Sequence, residues 1–214
     1  VMICEDMWVD EVSECLGESG ADMLLVINGS PYERDKTDVR LSCAVTRVTE
    51  TGLPLVYLNQ VGGQDELVFD GASFVLGADR SFRAQAVMFA EDMLMTRWTA
   101  DGEGVWQCNK AALSPHLEGL EAIYHAMVLG LRDYVSKNGF PGVLIGMSGG
   151  IDSALSAAVA VDALGPKRVR CVRMPSRYTA QSSLDDGSKC AELLGLGTDT
   201  IGIEPAISAF ESMM

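Results

Sequence analysis

The chain has 214 residues, 48% of them hydrophobic, with 16 basic and 30 acidic side chains and a formal net charge of -14. This length and apolar content allow one large or two small buried cores and exclude a disordered chain. The acidic balance argues against nucleic acid or an anionic membrane as partner, since both bind through basic patches, and no apolar run is long enough to span a bilayer.

In chain order, residues 1–4 read as the end of a buried strand, followed by Cys4-Glu5-Asp6. Residues 23–27 form a second apolar strand that stops at Asn28-Gly29-Ser30-Pro31, a turn cluster. A helix over 38–51 ends at Gly52, and 54–58 returns to strand. Gly62-Gly63, Phe69-Asp70-Gly71, a strand over 73–76, a turn over 77–80 and a strand over 84–89 follow at hairpin spacing. Residues 1–98 therefore read as an α/β domain with antiparallel pairing. Residues 99–116, with Asp101-Gly102-Glu103-Gly104 and Ser114-Pro115, read as a polar linker.

The second domain is expected over 117–214. It opens with a long amphipathic helix carrying Leu120, Tyr124, Met127, Val128, Leu131, Tyr134 and Val135 on one stripe, closed by Asn138-Gly139. Strands over 143–147, 169–174 and 200–203 then alternate with helices over 151–164 and 183–194, the pattern of a right-handed, doubly wound parallel sheet. Ligands of such sheets sit at the carboxyl ends of the strands. Six cysteines, at positions 4, 15, 43, 108, 171 and 190, show no CxxC spacing, which favours reduced thiols and a cytoplasmic setting. Val1 in place of an initiator Met, and an end at Met214 inside a helix opened by Pro205, suggest an internal fragment of a longer protein.

The most informative stretch is Gly146-Met147-Ser148-Gly149-Gly150-Ile151-Asp152-Ser153, between a strand and a helix. The first N–H groups of a helix lack internal partners, and adjacent glycines let a phosphate approach them closely. Ser148 and Ser153 add hydroxyls, and Asp152 can hold the Mg2+ that accompanies ATP. A Walker A loop needs Gly-Lys-Ser/Thr, and no Lys occurs from 143 to 166. The three-glycine dinucleotide fingerprint is also absent. Gly146-Met147-Ser148-Gly149-Gly150 does satisfy G-x-S-x-G, but a hydrolase of that kind needs a His downstream, and His116 and His125 lie upstream. A glycine-rich turn without a ligand is the plainest alternative.

Ser148 to Ser153 resembles the pyrophosphate loop of the N-type ATP pyrophosphatases, Ser-Gly-Gly-x-Asp-Ser, at every fixed position. On local sequence alone Cys4 reads as a buried, inert thiol next to two carboxylates that oppose its ionisation. Yet Ile3-Cys4-Glu5-Asp6-Met7-Trp8, Asn28-Gly29-Ser30-Pro31-Tyr32 and the run from Asn59-Gln60-Val61-Gly62-Gly63-Gln64-Asp65-Glu66 to Gly71 resemble the nitrilase-type glutaminase domain of glutamine-dependent NAD synthetases. The likeness continues through Val172-Arg173-Met174-Pro175-Ser176-Arg177-Tyr178 and Ile203-Glu204-Pro205-Ala206.

This resemblance implies the C-terminal part of a nitrilase-like αββα sandwich, followed by the start of a doubly wound ATP pyrophosphatase domain. Cys4 would attack the side-chain amide of glutamine, with Glu5 and Ser30 lining the glutamine pocket. The released ammonia would convert adenylated deamido-NAD to NAD. Gly146, Ser148, Gly149, Gly150, Asp152, Ser153, Arg173 and Met174 would bind ATP, with Asp152 also a ligand of Mg2+. The same resemblance puts the Glu and Lys of the glutaminase triad before Val1 and the deamido-NAD residues after Met214, leaves the fragment alone inactive, and implies a homo-oligomer of the full-length protein. From local sequence, Glu5 could equally be a solvated strand-end carboxylate, Ser30 a turn initiator, and Gln64-Asp65-Glu66 a hairpin tip. His116 and His125 lack further ligands at metal spacing. Another ammonia-using amidotransferase and a non-catalytic nucleotide-binding module are the competing readings.

Overall fold

The computed structural model describes residues 1–102 and 104–214, so Glu103 of the expected linker lies outside the described residues. The chain forms two compact units, Val1–Ala126 and Met127–Met214.

The first unit is built on a mixed sheet. Strand β1 (Met2–Ile3) leads through a short 3-10 turn into helix α1 (Asp10–Glu18), and β2 (Leu24–Asn28), α2 (Lys36–Thr51) and β3 (Leu55–Asn59) follow. After the hairpin of β4 (Val61–Gln64) and β5 (Leu67–Asp70), β6 (Phe74–Leu76) and β7 (Phe82–Gln85) return to the sheet in the order β1-β2-β3-β6-β7. The first three strands run parallel, with Ile3 opposite Ile27 and Asn28 opposite Asn59, so their carboxyl ends form one edge.

Alternation sends Met2, Leu24, Val26, Leu55 and Tyr57 into a core shared with Ala44 and Val48 of α2. Each large aliphatic side chain removed from water there contributes roughly 1.5–3 kcal/mol. Tyr57 stacks on Phe74 at 4.8 Å between ring centres. The opposite face of the same strands presents Ile3, Leu25, Ile27 and Leu58 as exposed apolar residues.

Two expectations for this unit shift. The strand expected over 84–89 ends at Gln85, because the backbone turns into positive φ at Ala72 and Phe89 and leaves only an isolated Gly71–Met88 bridge beyond it. The stretch expected as a polar linker over 99–116 holds all but the first residue of a paired set of strands, β8 (Trp98–Ala100) with β9 (Trp106–Cys108). The Gln64-Asp65-Glu66 run does form a hairpin tip, with Gln64 paired to Leu67 and Asp65 at φ 50°.

Helix α3 (Gly119–Lys137) contains the point at which the chain divides into its two units. The second unit continues with β10 (Val143–Gly146), α4 (Ile151–Leu164), β11 (Val169–Arg173), α5 (Gln181–Leu193), β12 (Thr198–Thr200) and α6 (Glu204–Glu211). Its sheet is parallel in the order β10-β11-β12, as the alternation implied. Ala157, Ala160, Val169, Cys171 and Ala191 form its core, and the small alanines let α4 and α5 lie close to the strands. The last strand covers Thr198–Thr200 rather than 200–203: Ile201 and Ile203 still donate to the Arg173 and Pro175 carbonyls, but Pro175 has no N–H to return a bond and continue the ladder. Among the described residues no helix is long and apolar enough to cross a membrane.

Candidate functional site

In each unit the expected site residues fall at or just beyond the carboxyl edge of its parallel strands. In the first, Cys4 follows β1 directly and has φ 52°, a left-handed conformation that a side-chain-bearing residue adopts only when its surroundings hold it there. The Asp6 carboxylate accepts the Ile3 N–H at 2.8 Å, so one of the two acids beside Cys4 is engaged by backbone. Glu5 is exposed.

Three of the other cysteines are packed into the fold. Burial pushes the thiols of Cys43, Cys108 and Cys171 up, and those of Cys43 and Cys108 donate to the carbonyls of Met7 and Asn109. Those three are packing residues, whereas Cys4 stands at a strand end in a strained turn.

Ser30 lies two residues beyond β2 on the same edge, and buried side chains hold every polar atom it has. Its N–H donates to Asn59 Oδ1 at 2.9 Å, its carbonyl accepts from Arg40 and Asn59, and its hydroxyl oxygen accepts Arg40 Nε–H at 3.0 Å. Arg40 is 2% exposed and Asp70 0%, and the guanidinium donates to both carboxylate oxygens at 2.9 and 2.8 Å. Removing either partner of so buried a pair leaves an uncompensated charge, a loss of about 3–5 kcal/mol.

Sequence reasoning missed Arg40, and it passed over Asn59 and Asp70 inside a longer motif. The available signal was the position of Arg40 on α2, four and eight residues before the buried Ala44 and Val48, where a cation interrupts an apolar stripe. Two more buried polar atoms at this edge have no hydrogen-bond partner, Nδ2 of Asn28 and Oη of Tyr57. Burial pushes the Tyr57 phenol up against the pull of Arg40 and Ser30, and Cys4 is among the groups that act on it. Orphaned buried groups cost about 1–3 kcal/mol each.

In the second unit the loop from Met147 to Gly150 joins β10 to α4. Gly149 has φ 84°, and a Cβ placed there would lie 2.1 Å from the Ser183 carbonyl oxygen, so both the backbone and its neighbour demand glycine. Gly150 is different: its φ is -85°, and a Cβ there would meet only Ser148 Oγ, at 3.5 Å.

Hydroxyls brace the loop. Ser153 Oγ donates to the Gly150 carbonyl at 2.9 Å and lies 3.1 Å from Ser148 Oγ, which accepts the Gly150 N–H at 3.3 Å. Ser148 is thus engaged with its own loop, and in the first unit His125 stacks on Phe89 at 6.1 Å. Asp152 is exposed in the first turn of α4, where helix N–H groups have no internal acceptor. Its carboxylate and the Ser148 and Ser153 hydroxyls are hard oxygen donors of the kind Mg2+ takes beside phosphates.

Of the residues expected around the nucleotide, Met174 is exposed and its methyl lies against Gly146. Arg173 is tied sideways instead, donating to Ser188 Oγ and, at 2.8 Å, to Thr200 Oγ1.

Residues 1–106 match the carbon-nitrogen hydrolase family model and residues 123–214 the NAD synthase model. The class is therefore a nitrilase-like segment running into an NAD synthase segment. The glutamine-dependent NAD(+) synthetase of Rhodobacter capsulatus is 48% identical over 217 residues, an overlap of 100% of this chain and 39% of that protein. Its counterpart in Xanthomonas campestris pv. campestris is 43% identical over 219 residues, with 100% and 38% covered. The solved glutamine-dependent NAD+ synthetase of Acinetobacter baumannii, in complex with ADP, superposes with a TM-score of 0.91 at 39% identity, covering 99% of this chain and 40% of that one. The chain belongs to the glutamine-dependent NAD synthetase family, and it spans about two-fifths of the length of these relatives.

Proposed function

We propose that the complete gene product makes NAD from deamido-NAD, using ATP and the side-chain nitrogen of glutamine, in the cytoplasm. The observation that carries this reading is the presence, in one chain, of a strained strand-end cysteine in a carbon-nitrogen hydrolase segment and a glycine-serine loop above a parallel sheet in an NAD synthase segment.

In the first unit, Cys4 Sγ bonds to the carboxamide carbon of glutamine and ammonia leaves. Water then cleaves the thioester to glutamate and restores the thiol. Ser30 and Glu5 line the glutamine pocket in this scheme.

In the second unit, a carboxylate is a poor electrophile until its oxygen becomes a leaving group. Transfer of AMP from ATP to deamido-NAD, with loss of pyrophosphate, supplies one. Ammonia then attacks the acyl carbon, and AMP departs as NAD forms. The N–H groups of the Ser148 loop and the start of α4 support the phosphates. Gly146, Met174 and Arg173 border the nucleotide side of this edge, with Arg173 acting through the packing of Thr200 and Ser188. Asp152, with the two serine hydroxyls, would hold Mg2+, which neutralises charge on the departing pyrophosphate.

The test is to incubate the complete gene product with glutamine, ATP, Mg2+ and deamido-NAD. NAD, AMP and pyrophosphate are expected in equal amounts, with glutamate formed alongside. Formation of ADP in place of AMP, or glutamate release without NAD, would overturn the scheme.

A further inference from the structure

We infer that Arg40 is a positioning residue for glutamine use: its guanidinium fixes the backbone and the hydroxyl direction of Ser30, so that the Ser30 O–H is presented as a donor to an acceptor oxygen of the substrate. The inference rests on the glutaminase reading of Cys4 and Ser30 and extends it to a residue that touches no substrate.

Every N–H of the guanidinium is engaged. Nη1 donates to the two oxygens of Asp70, Nη2 to the carbonyls of Ser30 and Pro31, and Nε to Ser30 Oγ. Guanidinium is donor-only, so the contact with Ser30 Oγ occupies a lone pair and leaves the hydroxyl proton for another partner. Asn59 completes the clamp by accepting the Ser30 N–H at 2.9 Å and donating to its carbonyl at 3.1 Å. The same Asn59 donates to Asp70 Oδ1 at 3.3 Å, so clamp and ion pair form one network. A turn that merely needed closing would not require a buried ion pair for it.

Lysine at this position keeps the charge opposite Asp70 but has no planar fork to reach Ser30 as well. In the complete gene product, Arg40→Lys is expected to raise the KM for glutamine about 30-fold or more, with ammonium-dependent NAD formation within about twofold of the unaltered protein. Because the effect runs through Ser30, Arg40→Lys introduced into a Ser30→Ala background is expected to change glutamine KM by less than about threefold.

Equal losses with glutamine and ammonium, or a full effect of Arg40→Lys in the Ser30→Ala background, would overturn the proposal. If Arg40→Lys does not fold, Asn59→Ser decides, since it loosens Ser30 while keeping the Arg40–Asp70 contacts and removing only the longer Asn59–Asp70 bond. A glutamine KM raised about tenfold with ammonium use retained supports the inference, and an unchanged glutamine KM overturns it. Failure of the unaltered protein to use glutamine at all would instead refute the underlying glutaminase reading.

Discussion

Replacing Cys4 with alanine is expected to lower glutamine-dependent NAD formation by at least about 10⁴-fold while leaving ammonium-dependent formation within about twofold. The split follows from the chemistry of the two units. Without Sγ no thioester forms, and no other group at the strand end can replace a nucleophile. The proposed adenylating site, by contrast, takes ammonia from any source, and the ATP-loop residues Ser148 to Ser153 lie in the second unit. Cysteine-to-alanine is also a gentle change here, since Cys4 is only partly buried. The strained φ of 52° remains with alanine, so folding stability should move by less than about 1 kcal/mol. Parallel assays with glutamine and with ammonium chloride check it. Loss of both activities together, in a protein that unfolds normally, would contradict the assignment of Cys4 to the glutamine reaction alone.

The second large effect separates two neighbouring glycines. Gly149→Ala is expected to destabilise the second unit by about 2–5 kcal/mol, because its new methyl enters the Ser183 carbonyl and its backbone sits in the left-handed region at φ 84°. Gly150→Ala should leave stability within about 1 kcal/mol, since its backbone is ordinary and the new methyl meets only a serine hydroxyl at ordinary contact distance. The fold therefore gives no reason for glycine at 150, and a phosphate seated on the loop does. ATP KM in Gly150→Ala should rise about tenfold or more, with glutamine hydrolysis unaffected. Chemical denaturation and steady-state kinetics on the two variants check both halves. An unchanged ATP KM in Gly150→Ala would remove the phosphate from this loop.

The second unit was legible because glycine punctuation and apolar runs agree there. Gly150 and Gly165 bracket α4 at the expected bounds, and strand and helix alternate without interruption. The 98–108 hairpin was hidden because its strands are three residues each and its turn is rich in the polar and glycine residues that also mark a linker. The strand expected over 200–203 misled because Ile201 and Ile203 look like strand residues, whereas Pro175 beside them has no N–H with which to continue the ladder.

At the sites, contiguous motifs could be read and the dispersed network could not. Cys4, Ser30 and the Ser148 loop lie in short recognisable runs. Arg40 and Asp70 stand 30 positions apart, and nothing local announces that a helix cation and a hairpin carboxylate meet beneath Ser30. Nor did the Arg173 motif announce that its guanidinium would meet hydroxyl partners on α5 and β12.

The central claim is that nitrogen taken from glutamine at the Cys4 site becomes the amide of NAD at the Ser148 site. The measurement that addresses it most directly supplies glutamine labelled with nitrogen-15 in its side-chain amide, with ATP, Mg2+ and deamido-NAD, to the complete gene product and weighs the NAD by mass spectrometry. The account predicts NAD carrying one heavy nitrogen in its carboxamide, and none when Cys4 is alanine. NAD that forms without the label, or labelled ammonia that accumulates while deamido-NAD stays unconverted, would contradict it.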